Sequence, residues 1–159
     1  MNNQIEIHNK EAFNKMHNEG TLAAKVLDYI TQYVKKGVST GHLDDLCHDY
    51  IIKNHAVPAP LNYRGFPKST CISVNHVVCH GIPGDKILDE GDILNIDITV
   101  ILDGWYGDTS RMYFVGEPSK KAKFLTKITY ECLWLGIETV KPGSTTGDIG
   151  HAIQNHAEK

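Results

Sequence analysis

Between Ile93 and Leu102 apolar and polar positions alternate. Leu94, Ile96, Ile98, Val100 and Leu102 fall on one side, and Asn95, Asp97 and Thr99 on the other. A period of two marks a strand with one face toward a core. Asp103-Gly104 follows. Both central residues of a type I′ turn need positive φ, so this pair predicts a two-residue hairpin with Trp105 to Val115 as the return strand. Counting back from the turn sets Leu102 opposite Trp105, Val100 opposite Gly107, Thr99 opposite Asp108 and Asp97 opposite Ser110. Asp97 and Asp108 then become diagonal neighbours on one face, roughly 7 to 8 Å apart at the backbone and closer at the side-chain tips. A slip of one residue would send them to opposite faces.

Elsewhere the apolar period is helical. From about Glu11 to Lys36 the stripe Ala23, Val26, Leu27, Ile30 and Val34 predicts a helix ended by Gly37. Ser39 or Thr40 can cap a second helix, with Leu43, Leu46, Cys47, Tyr50 and Ile51 as its buried face. From Ala56 to about Gly116, Pro58, Pro60, Pro67 and Pro83 and Gly65, Gly81, Gly84, Gly91 and Gly104 punctuate short β-rich runs. A long helix is expected from about Ser119, with Leu125, Cys132, Leu133, Ile137 and Val140 as core positions. Lys141-Pro142-Gly143 ends it, and a further helix starts near Thr146.

The stretch Val34 to Leu43 resembles Val140 to Ile149 at an offset of 106 residues, and each follows a long helix. Shared cap chemistry accounts for such a match, and so does an internal repeat. Under the repeat, Lys159 corresponds to position 53, before the strand region of the first copy begins.

Composition narrows the class. At 159 residues, 41% hydrophobic and 22% charged, the chain has the balance of one globular domain. A net charge of -3 with scattered basic residues leaves no footprint for nucleic acid. The polar opening has no apolar stretch for a signal peptide or membrane span, so a cytoplasmic protein is expected. Cys47, Cys71, Cys79 and Cys132 lack Cys-x-x-Cys spacing and read as free thiols, with Cys71 a candidate for lining a pocket.

An arbitrary aspartate pair on a wet hairpin face is simply solvated. Here apolar residues flank Asp97 on both sides, which suggests a largely buried strand. Two buried carboxylates so close repel unless one is protonated or a cation lies between them. A divalent cation with oxygen-rich ligands is the simplest resolution.

The same residues carry a resemblance to the methionine aminopeptidases of the bacterial type I form. It rests on Asn62 to Ser69, Cys71 to Asn75, Val77 to Pro83, Gly91 to Asp97, and Asp103-Gly104 leading to Gly107-Asp108-Thr109-Ser110-Arg111. The resemblance implies an α+β pita-bread fold, a pseudo-twofold pair of αβ halves around a central antiparallel sheet. It implies a metal-dependent hydrolase that removes the initiator methionine from nascent polypeptides through a water or hydroxide bridging two divalent ions of cobalt, manganese or iron. Asp97 and Asp108 would be two of five metal ligands. His80 would bind the substrate and act on the transition state, a role that suits an imidazole. Tyr63, Phe66 and Cys71 would wall the methionine pocket, Phe66 standing where a tyrosine is frequent, and Thr99 would contact ligand or support the site. An apolar, polarizable lining suits a thioether. From the residues alone, the aromatics serve equally well to pin a Pro-rich loop. Backbone carbonyls at Asn75 and Val77 would hold a monovalent cation, Na⁺ or K⁺. The implied partners are nascent chains and the ribosome, with no nucleic acid or membrane, and the full-length protein would be a monomer. His42, His48, His55 and His76 read as surface or cap residues.

The chain departs from the family in its last residues. A Gly-His-Gly histidine and two glutamates, the remaining ligands that the resemblance implies, have no counterpart between Ser144 and Lys159. Residues 1–159 are therefore expected to form a single incomplete domain, with a first half at about 10–118 and the start of a second at about 119–159, belonging to a longer protein. Two other readings stay open: an aminopeptidase for another N-terminal residue, as in the proline-specific relatives, and a non-catalytic pita-bread binding module.

Overall fold

The first helix is set by its cap and its stripe. In the computed structural model, which describes residues 5–159, the Asn9 side chain accepts the Ala12 N–H at 3.0 Å and opens helix α1 (Lys10–Ile30). Leu22, Ala23, Val26, Leu27 and Ile30 are buried along one side. The α-helix stops at Ile30, short of the expected Lys36. The Thr31 hydroxyl donates back to the Leu27 carbonyl at 2.8 Å, and a single 3₁₀ turn, Thr31–Tyr33, leads on toward Gly37, where φ is +87°. Ser39 then caps α2 (Thr40–Lys53) by accepting the His42 N–H at 3.1 Å, and Leu43, Cys47 and Ile51 are buried.

Four strands follow: β1 (Val57–Pro58), β2 (Cys71–Val74), β3 (Ile93–Leu102) and β4 (Trp105–Phe114). All pairings are antiparallel, and β3 is the centre, with β4 along its whole length and β1 and β2 sharing its other edge. The hairpin register is the expected one: Leu102 opposite Trp105, Thr99 opposite Asp108, Asp97 opposite Ser110. Asp103 and Gly104 both have positive φ, 50° and 82°, as a type I′ turn requires. Leu94, Ile96, Ile98 and Val100 are fully buried in one core with α1 and α2. Helix α1 lies directly on β4, because a Cβ on Gly107 would collide with the Glu19 carbonyl. Farther along, the Tyr113 hydroxyl donates to the Leu27 carbonyl at 2.8 Å and Arg111 pairs with Asp28 at 2.9 Å.

Residues from Pro118 onward form a second compact unit. Ser119 caps α3 (Lys120–Glu138) through the Ala122 N–H at 3.1 Å. A Thr145–Asp148 capping box opens α4 (Thr146–Ala157). Of the core positions expected on α3, only Cys132 is buried; Leu125, Leu133, Ile137 and Val140 are exposed. Within this unit α3 packs on α4 alone, along the stripe of Cys132 and Gly136, where a Cβ on Gly136 would stand 3.1 Å from Ile153 Cδ1. The local geometry of the two similar stretches recurs: Gly37 and Gly143 at φ +87° and +91°, Ser39 and Thr145 as N-caps. Among the described residues, no helix is long and apolar enough to cross a membrane.

Candidate active site

Asp97 occupies the middle of β3 with Ser110 on one flank and Cys71 on the other. Asp108 lies on β4 opposite Thr99, whose hydroxyl donates to its Oδ1 at 3.1 Å. Both aspartates face one cavity of about 860 Å³, as the register requires. They are less buried than expected: Asp97 is half-buried and Asp108 exposed. β4 is the outer strand of the sheet, so Asp108 has a paired strand on one flank only. Burial, and then the charge of Asp108, push the Asp97 carboxyl above its usual range, while His80 pulls it down. A cation held between the two would remove the repulsion.

The cavity gathers the other expected residues as well. Tyr63, Phe66, Cys71, His80 and Thr99 all line it. Burial, and then the charge of Asp97 beside it, push the Cys71 thiol up to about 11, which keeps it neutral among the lining groups. His80 is exposed and held in a left-handed conformation at φ 52°. The next residue fixes it there. Gly81 N–H donates to Ser73 Oγ at 3.1 Å, the Gly81 carbonyl accepts from Ile72 at 2.9 Å, and a Cβ on Gly81 would collide with the Ile72 carbonyl. Asn75 and Val77 lie outside this cavity. The Asn75 side chain donates to Asp92 at 2.8 Å and accepts the Ile93 N–H at 3.1 Å, and Val77 N–H donates to the Val74 carbonyl at 3.1 Å.

Several residues that shape the cavity were not anticipated. Tyr106 and Arg64 line it; Tyr106 falls on the Asp108 side of the alternating pattern, a signal that was available. Buried Asp44 on α2 anchors the end of the lining loop by accepting from Ser69 N–H at 3.1 Å and from Thr70 N–H and Oγ1 at 2.8 Å each. His48, expected as a surface or cap residue, instead meets Ser69 Oγ at 2.8 Å and is partly buried, because α2 turns it toward the same loop. His42, His55 and His76 are exposed.

As hard oxygen donors on one face, Asp97 and Asp108 fit a divalent ion. They are a partial donor set: among the described residues, no group of three or more His, Cys, Asp or Glu side chains converges to hold a metal.

Helices backing an antiparallel sheet, with a carboxylate pair opening from the central hairpin into a cavity, define the pita-bread class of fold. The model of metallopeptidase family M24 matches residues 14–159, and the chain belongs to that family. It is 61% identical over 155 residues to methionine aminopeptidase of Rickettsia prowazekii (strain Madrid E), covering 98% of this chain and 60% of that protein. It is 54% identical over 156 residues to methionine aminopeptidase of Escherichia coli (strain K12), covering 97% and 59% respectively. The crystal structure of the Rickettsia prowazekii methionine aminopeptidase superimposes with a TM-score of 0.95 at 60% identity, over 98% of this chain and 62% of that one. The chain thus spans about 60% of the length of the curated relatives it matches.

Proposed function

We propose that this chain carries the first part of the active site of a methionine aminopeptidase, a metal-dependent hydrolase that removes the initiator methionine from nascent polypeptides in the cytoplasm. The observation that carries the reading is the convergence of Asp97, Asp108, His80, Tyr63, Phe66 and Cys71 on one cavity. Asp97 and Asp108 would hold divalent ions, Co²⁺, Mn²⁺ or Fe²⁺. When bound, such ions lower the pKa of water and polarise the scissile carbonyl. Tyr63, Phe66 and Cys71 enclose the thioether side chain, and an apolar, polarizable lining suits it. His80, at the mouth, offers an imidazole N–H to the scissile amide. Thr99 keeps the Asp108 carboxylate turned toward the cavity through its 3.1 Å hydrogen bond.

In this reading residues 10–118 are the first half of a pita-bread domain and residues 119–159 begin the second, with the remaining metal donors supplied from beyond this segment. The recurring helix, glycine and capped-helix geometry at an offset of 106 residues supports that division. The incomplete donor set among the described residues favours one other reading, a binding module without catalysis.

One experiment separates them. Residues 1–159 are fused to the remaining segment of the Rickettsia prowazekii relative, and methionine release from Met-Ala-Ser is measured with Mn²⁺ or Co²⁺. Turnover by the fusion and none by the isolated chain supports the enzyme reading. No turnover by a folded fusion sinks it.

A further inference from the structure

The chain has two arginines, and the fold treats them differently. Arg111 is paired with Asp28 at 2.9 Å. Arg64 lines the cavity that holds Asp97 and Asp108, and among the described residues no carboxylate pairs with it. Its guanidinium carbon instead sits 5.4 Å from the centre of the Tyr63 ring, a cation–π contact that orients the group without neutralising it.

The backbone that presents Arg64 is costly. Asn62, Arg64 and Gly65 have φ of 67°, 49° and 84°. A non-glycine residue in this region is strained and persists where its surroundings fix it. Here the surroundings do. Asn62 N–H donates to the Phe66 carbonyl at 2.8 Å, Phe66 N–H donates back to Tyr63 at 2.9 Å, and Asp44 fastens the far end of the loop at Ser69 and Thr70. The result is one fixed cation and two carboxylates around a single cavity.

We propose that Arg64 is a specificity-determining residue that selects peptides carrying a carboxylate shortly after their N-terminal residue. This rests on the aminopeptidase reading, in which the Asp97–Asp108 end takes the peptide's N-terminus. A peptide that carries both an amine and a nearby anion offers a partner to each sign of charge lining the cavity; a neutral peptide leaves Arg64 without one. The carboxylate comes from an acidic side chain or from the C-terminus of a very short peptide.

The test is calorimetric titration of the 159-residue chain, in buffer containing Mn²⁺, with three peptides. Met-Ala-Ser-amide is neutral beyond its amine, Met-Ala-Asp-amide adds an acidic side chain, and Met-Ala-Ser free acid adds a C-terminal carboxylate. One or both acidic peptides are expected to bind about five- to tenfold more tightly than the neutral one, the size of a partly exposed charge-assisted contact. Whichever is favoured identifies the source. The preference should fall to about one in Arg64→Gln, survive in Arg64→Lys, and shrink as salt is raised. Equal affinity for all three, or a preference that persists in Arg64→Gln, overturns the proposal while binding of the neutral peptide leaves the aminopeptidase reading standing. Failure of every peptide to bind overturns the proposal, while turnover by the fusion decides the aminopeptidase reading separately.

Discussion

Asp92 and Asp97 stand just before β3 and at its middle, and the fold completes one carboxylate while leaving the other open. Asp92 accepts from Asn75 Nδ2 at 2.8 Å, from the Asp89 N–H at 2.9 Å and from Lys86 Nζ at 3.3 Å. Burial pushes its carboxyl upward, but these donors outweigh burial and hold it below the usual range. Asp97 has no such donors among the described residues; burial and the neighbouring Asp108 raise it. A carboxylate with its hydrogen bonds filled is part of the framework. One left facing another carboxylate at a cavity lacks such partners, and under the proposed reading a cation fills that role.

The contrast breaks most readily in stability. Asp92→Ala is expected to cost about 1–3 kcal/mol, since it strands the Asn75 amide and the Asp89 N–H. Asp97→Asn should leave stability within about 0.5 kcal/mol of the parent, or raise it, because it removes repulsion and no hydrogen bond. Urea unfolding of both variants measures the difference; equal losses would dissolve the distinction.

A second consequence follows in acid. A carboxyl held low in the folded state contributes stability above its unfolded pKa, and that contribution disappears as pH falls through the lower folded value. The chain should therefore lose stability below about pH 4, the ordinary carboxylate range. Asp92→Asn should flatten that loss, which thermal melts across pH 2 to 6 would show.

Asp44 extends the framework class to the cavity wall. Asp44→Ala should speed hydrogen exchange at the Ser69 and Thr70 amides it accepts from, by roughly tenfold or more for a lost charge-assisted bond of about 1.5–3 kcal/mol. Protection unchanged at those two amides would remove Asp44 from that role.

The smallest effect comes from the core side of the sheet. Glu19 is buried in α1, and among the described residues its Oε2 has no hydrogen-bond partner. Replacing it with methionine, of similar volume and good helix propensity, should raise stability by about 1 kcal/mol. A loss measured by the same urea titration would mean that Glu19 is a satisfied framework acid.

What the sequence made legible divides along similar lines. The hairpin could be read residue by residue because a period of two and an Asp-Gly turn leave one register, and the Asp97–Asp108 diagonal came with it. The caps at Ser39 and Thr145 were readable for the same reason: their partners lie three residues away. What escaped depends on distant partners. Asp44 meets Ser69 and Thr70 across 25 and 26 residues, and no local pattern announces it. The α3 stripe carried the correct period, but period does not say what covers a helix, and within its unit only the Cys132–Gly136 side is covered. The exposure of Asp108 was misjudged because the flanks of Asp97 describe β3 and not the outer strand.

The central claim is that Asp97 and Asp108 form a shared cation site, and direct Mn²⁺ titration followed by electron paramagnetic resonance tests it. The 159-residue chain should bind Mn²⁺ weakly, as suits two donors. Asp97→Asn and Asp108→Asn should each abolish that binding, while Asp92→Asn leaves it in place. Mn²⁺ affinity unchanged in either of the first two variants would contradict the account.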